Sequence, residues 1–145
     1  MLQVHQLRPI IHVALPSLSF LSRALIDALF LTGGALGPSH WVAKHLGLRN
    51  RLHVVAMLEA DGLPPLHRLK GWITVLHWVW AWEREGVSLC RSALRAGREP
   101  AACYRLVQRI TGTSWRRVRT GGVHRVLAMF LEECGAAEIG LSATG

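Results

Sequence analysis

Residues 88–119, SLCRSALRAGREPAACYRLVQRITGTSWRRVR, hold two short helical patterns separated by a glycine. Ser88 stands where a helix needs a cap, since its hydroxyl can accept from an unpaired N–H of the first turn. Gly97 closes that segment and lets the chain turn sharply. Pro100 suits the first turn of a second helix, and Cys103, Leu106, Val107 and Ile110 follow at i, i+3, i+4 and i+7 as one apolar face. The spacing predicts helices over 88–96 and 101–110, joined as tightly as in a helix-turn-helix.

With that face turned inward, Tyr104, Arg105, Gln108 and Arg109 point elsewhere. An α-helix fits the major groove of DNA, and Arg105, Gln108 and Tyr104 have the reach and the donors to read base edges. Arg98, Arg109, Arg116, Arg117 and Arg119 can neutralise the flanking phosphates. Nine arginines and a single acid, Glu99, stand between Arg91 and Arg125. A surface that needed only solubility would intersperse acids.

Upstream, residues 66–85 read as a long connecting helix, divisible around Gly71, with Ile73, Leu76, Val79 and Trp80 as one apolar stripe. Trp72, Trp78, Trp80 and Trp82 suit the core of a junction between two helical units. They also suit an aromatic docking surface, which makes a helical protein–protein interaction module the alternative function. Before the connector, DGLPP (residues 61–65) breaks the chain. Two further short helices precede it about Gly47: HWVAKHLGL, capped by Ser39 with Val42, Ala43 and Leu46 toward a core, and RNRLHVVAML, with Leu52, Val55, Ala56 and Leu58 available for packing.

Ser17 is a plausible cap for an earlier helix carrying Leu18, Leu21, Leu25, Ala28 and Leu29, and GGALGP ends it. Residues 1–16 read as mixed, with Pro9 and Pro16 interrupting regular structure. Beyond residue 122, HRVLAMFLEECG reads as one more amphipathic helix and GLSATG as a fraying end. The expected fold is therefore all-α: an N-terminal segment (1–16), a first helix-turn-helix subdomain (17–65), a connecting helix (66–85), a second helix-turn-helix subdomain (86–122), and a C-terminal helix and tail (123–145).

Composition narrows the partners. The 145 residues carry a formal net charge of +8, from 15 arginines and 2 lysines against 9 acids. Planar guanidinium forks match phosphate and base edges better than ammonium groups do, so double-stranded DNA leads the partner classes. Three cysteines, Cys90, Cys103 and Cys134, form no close pair, which favours a reduced, cytoplasmic setting. The apolar stretch 9–31 is interrupted by Arg23 and Asp27, and the run GWITVLHWVWAW at 71–82 is too short to cross a bilayer, so no membrane partner is expected. His12, His40, His45, His53, His67, His77 and His124 are scattered, with no zinc spacing and no HExxH, CxxC, GxSxG or phosphate-loop pattern. Neither an enzyme, a metal site nor a cofactor is expected.

These segments resemble the DNA-binding region of the AraC/XylS transcription regulators, most specifically over 88–119 and more loosely from residue 17. Leu89 and Ala93 match the family's core positions in the first short helix, Gly97 its turn glycine, and Gly112 and Arg119 the glycine and arginine of its closing motif. Cys103 falls at the usual aromatic position, Tyr104 and Arg105 at the polar pair after it, and Val107 at a second core aromatic. Trp115 replaces the usual proline and Val118 the usual tyrosine.

In the first unit Ala43 and Leu48 match core positions, and Gly62 with Pro65 resembles the glycine and proline before the connector. Here His53 takes an apolar position, Val54 and Val55 replace the outward polar residues, and Ile73 stands where the connector usually supplies an arginine. The resemblance implies two helix-turn-helix units, a reading head in the second, and phosphate contacts from Arg49 and Arg51 or a packing role for the first. It implies no effector domain within this length, so a fragment, a stand-alone binder and a partner-regulated member, homodimeric or not, all remain open.

Overall fold

The computed structural model describes residues 4–136. A short 3-10 turn, Val4–Leu7, leads into α1 (Arg8–Ala14), α2 (Phe20–Thr32), α3 (Ser39–His45), α4 (Arg51–Ala60), α5 (Leu66–Glu85), α6 (Leu89–Arg95), α7 (Pro100–Thr111), α8 (Trp115–Gly121) and α9 (Val123–Glu133). The fold is all-helical, with no strand among the described residues. The expected frayed end GLSATG lies outside them.

α5 is the hub. It packs against α2, α6, α7, α8 and α9, and Leu66, Leu69, Trp72, Ile73, Val75, Leu76, Trp78, Val79 and Trp80 are all buried. A helix covered on nearly every side reads as apolar all round, which is why the stripe anticipated from Ile73, Leu76, Val79 and Trp80 is only part of its contact surface. Trp82 is partly covered, so the tryptophans line the interior and present no open aromatic face.

Gly71 does not divide the connector, which runs unbroken for 20 residues. The glycine instead lets α7 approach: a Cβ built there would stand 2.7 Å from Ile110 Cγ1. Core residues from Leu7 to Cys134 form one continuous cluster, to which both short-helix pairs contribute.

Several local expectations shift. The segment 4–14 is helical throughout rather than interrupted at Pro9: that proline sits in the first turn of α1, where its missing N–H costs nothing, and Leu7, Ile11 and Leu15 enter the core. Ser19, not Ser17, caps α2, its Oγ accepting from the Ser22 N–H at 3.3 Å. Asp61 holds that cap in turn, accepting from the Ser19 N–H at 3.1 Å and from its hydroxyl at 2.7 Å. Pro38, not Ser39, precedes α3, so Ser39 is its first helical residue.

The packing register of α4 is also displaced. Val54 and Leu58 are buried, whereas Leu52 and Val55 are 64% and 47% exposed and Ala56 and His53 are exposed too. Asn50 starts the helix, accepting from the N–H groups of Leu52 and His53, and this fixes the phase.

A candidate nucleic-acid interface

α6 and α7 meet in a four-residue turn. Ser88 caps α6 by accepting from the Arg91 N–H at 3.1 Å, and Gly97 takes a φ of +66°, a left-handed conformation that suits glycine. The Arg98 N–H then donates back to the Ala93 carbonyl at 2.8 Å, closing the helix end over a buried alanine. Pro100 begins α7, and Cys103, Val107 and Ile110 are buried with Leu106 half-buried, as the spacing predicts.

The opposite face of α7 carries Ala101, Tyr104, Arg105 and Gln108, all exposed and again at i, i+3, i+4 and i+7. The side chains of Arg105 and Gln108 make no hydrogen bond or ion pair with any other described residue, so their side-chain donors are free. Beside them, Lys70, Arg98, Arg105 and Arg109 line a hollow of 540 Å³ between α5 and α7, together with His67 and Glu99. A second groove, between α8 and α9, is lined by Arg116, Arg117 and Arg125, and its other walls include the hydroxyl residues Thr111, Thr113, Ser114 and Thr120. The ion pairs of the described residues, Arg8–Asp27, His12–Asp27 and Arg68–Glu133, engage none of the arginines of this half.

Two of the anticipated phosphate contacts are already occupied in part. The guanidinium of Arg119 lies 4.6 Å from the Trp82 ring centroid and that of Arg98 lies 5.8 Å from Trp78, each held over an aromatic face. Arg109, Arg116 and Arg117 stand free. Arg49 and Arg51 are exposed at the junction of α3 and α4 and line neither groove. The structure adds Lys70 and Arg125 to the basic surface. Arg125 was visible as the last member of the arginine-rich run, but nothing in the sequence around Lys70 links the connector to α7.

A polar clamp fixes the end of α7. Arg68 on α5 donates through Nη2 to the Ile110 carbonyl at 3.0 Å and through Nη1 to the Arg109 carbonyl at 3.4 Å. The same guanidinium grips Glu133 of α9 in two places, through Nε at 2.8 Å to Oε2 and through Nη2 to Oε1. The Trp72 indole N–H donates to Glu133 Oε2 at 2.9 Å. Arg68 beside it holds the Glu133 carboxyl below the usual carboxylate range, against the opposing effect of burial and with help from the indole.

The cysteines are free. Burial raises the Cys103 thiol despite the Arg98 charge beside it, and burial with the Glu133 charge pushes Cys134 up to about 12. The described residues contain no group of three or more His, Cys, Asp or Glu arranged to hold a metal, and no helix among them is long and apolar enough to cross a membrane.

The α3/α4 pair repeats this geometry. Ala43 is buried as Ala93 is, Gly47 takes a φ of +72°, and the Leu48 N–H donates to the Ala43 carbonyl at 2.8 Å. In α4 the buried pair Val54 and Leu58 then occupies the places of Cys103 and Val107. The outward stripe Ala101, Tyr104, Arg105, Gln108 accordingly has its counterpart in Leu52, Val55, Ala56 and Glu59. Val54 thus fills the apolar position expected of His53, and the outward pair is Val55 and Ala56 rather than Val54 and Val55.

No protein-family model, curated protein or solved structure matches the chain.

Proposed function

We propose that the protein binds double-stranded DNA sequence-specifically, as an AraC-like transcription regulator in which α6 and α7 form the reading helix-turn-helix. One observation carries this reading: α7 presents an exposed stripe with unpaired polar side chains, one of which, Arg105, lines a hollow with Arg98 and Arg109. Arg105 and Gln108 are the base readers, with Tyr104 beside them, and Arg109, Arg116 and Arg117 are the main phosphate contacts. Arg98 and Arg119 reach phosphate from their places over tryptophan. Arg49 and Arg51 lie on the other pair and add only sequence-independent attraction. Three free thiols, two of them buried, suit the reduced cytoplasm in which such a regulator works.

The test is a DNA selection performed on the wild type and on Arg105→Ala and Gln108→Ala, with folding checked by circular dichroism. Each substitution should relax the preference at its own base pair by about 1–3 kcal/mol while changing non-specific affinity less. Unchanged base preference in both folded variants removes α7 as the reading helix. Failure of the folded wild type to bind any duplex removes the function.

A further inference from the structure

The stripe on α4 that corresponds to the reading face of α7 is built for a different task. Leu52, Val55 and Ala56 are exposed, and no polar side chain on that stripe could read a base edge until Glu59 at its end. Arg51 stands exposed at the opposite end of the same helix. Neither Arg51 nor Glu59 has a partner among the described residues, and at eight residues apart, about 12 Å along the axis, they do not reach one another. The helix therefore offers a short apolar strip with an unpaired cation at its N-terminal end and an unpaired anion at its C-terminal end.

Such a strip is complementary to itself in one orientation. Val55 lies midway between Arg51 and Glu59, so a two-fold axis through Val55 that sets two α4 helices antiparallel brings each Arg51 to the Glu59 of the other copy. Leu52 then nests beside Val55 and Ala56 of the second copy. Parallel pairing would instead oppose arginine to arginine and glutamate to glutamate. We infer that the protein self-associates through α4, as an antiparallel two-fold pair sealed by Leu52 and Val55 and oriented by two reciprocal Arg51–Glu59 ion pairs.

Only the polar-to-apolar exchange relative to α7 makes this possible. The equivalent face of α7 carries Tyr104, Arg105 and Gln108 and no acid, so two α7 helices cannot form the same contact. The strip spans about two turns, small beside the roughly 800 Å² that each partner buries in a standard interface, so the association is concentration-dependent. Arg51 is engaged by the second copy in this arrangement and leaves Arg49 as the phosphate contact of the first pair. The inference stands without the DNA reading. If both hold, the dimer carries two α7 helices related by a two-fold axis and its site is an inverted repeat.

Sedimentation equilibrium of the full chain without DNA, over a range of concentration, tests this directly. The wild type should pass from monomer to dimer. Leu52→Glu should weaken dimerisation at least tenfold with the helical circular dichroism unchanged, because the residue is exposed in the monomer. Arg51→Glu alone and Glu59→Arg alone should each weaken it about tenfold, and the double exchange should restore most of the loss, a rescue that a purely apolar contact would not show. A wild type that stays monomeric, or a dimer indifferent to Leu52→Glu, overturns the inference. A dimer weakened by Leu52→Glu but not rescued by the double exchange overturns the antiparallel pairing. None of these outcomes bears on whether Arg105 and Gln108 read DNA.

Discussion

Replacing Glu133 with glutamine removes one charge from the junction of α5, α7 and α9 while keeping the volume and one acceptor oxygen. The carboxylate accepts from two nitrogens of Arg68 and from the Trp72 indole, and the Arg68 guanidinium carries the last carbonyls of α7. The two charged side chains are 27% and 29% exposed. The pair thus lies between a surface ion pair, worth about 0.2–1 kcal/mol, and a buried one whose breaking costs about 3–5 kcal/mol.

A loss of about 2 kcal/mol is expected for Glu133→Gln, which in a chain of this size lowers the melting temperature by about 4–8 °C. The pH dependence has a definite sign. The folded-state pKa of Glu133 is depressed, so its contribution is complete above the unfolded value of about 4.3 and is lost as the pH falls through the lower folded value.

Urea unfolding followed by tryptophan fluorescence at neutral pH and through that acid window measures both effects. The variant should be less stable at neutral pH and should lose less on acidification than the wild type. Some acid sensitivity should persist from Asp61, whose carboxyl also lies below its usual value because hydrogen bonding, from the Ser19 N–H and hydroxyl, outweighs the opposing effect of burial. A variant with an unchanged midpoint at neutral pH, or with the full acid response of the wild type, would refute the role given to the clamp.

Gly71→Ala should destabilise the chain by about 1–3 kcal/mol in the same unfolding assay even though alanine is the better helix former, because the added methyl runs into Ile110; increased stability would show that α7 can retreat from α5 without cost. Arg116→Ala and Arg117→Ala should each weaken binding to related and unrelated duplexes alike and reduce the slope of log affinity against log salt by about 1, measured by fluorescence anisotropy. An unchanged salt slope in both variants would place the phosphates elsewhere.

What the sequence determined by itself is the part of the protein governed by local chemistry. Ser88, Gly97 and Pro100 act on their own turns, and the repeat of Cys103, Leu106, Val107 and Ile110 can bury only one face of a helix, so α6, α7 and the outward direction of Arg105 and Gln108 were legible from residue order. The same reasoning slipped by one position on α4, because Leu52, Val54, Val55, Ala56 and Leu58 are apolar in nearly every phase and periodicity alone cannot choose among them; Asn50 and the packing of the α3/α4 pair make the choice. It also passed over α1, where Pro9 looks like a break until its place in a first turn is known.

Which charges are free and which are held depends on how distant elements pack. Arg68 and Glu133 lie 65 residues apart, and Arg119 meets Trp82 across two helices, pairings that depend on where distant elements come to rest and leave no trace in local spacing. The tryptophans of α5 show the same limit: composition allowed an exposed docking face or a core, and the helices packed around the connector made them core.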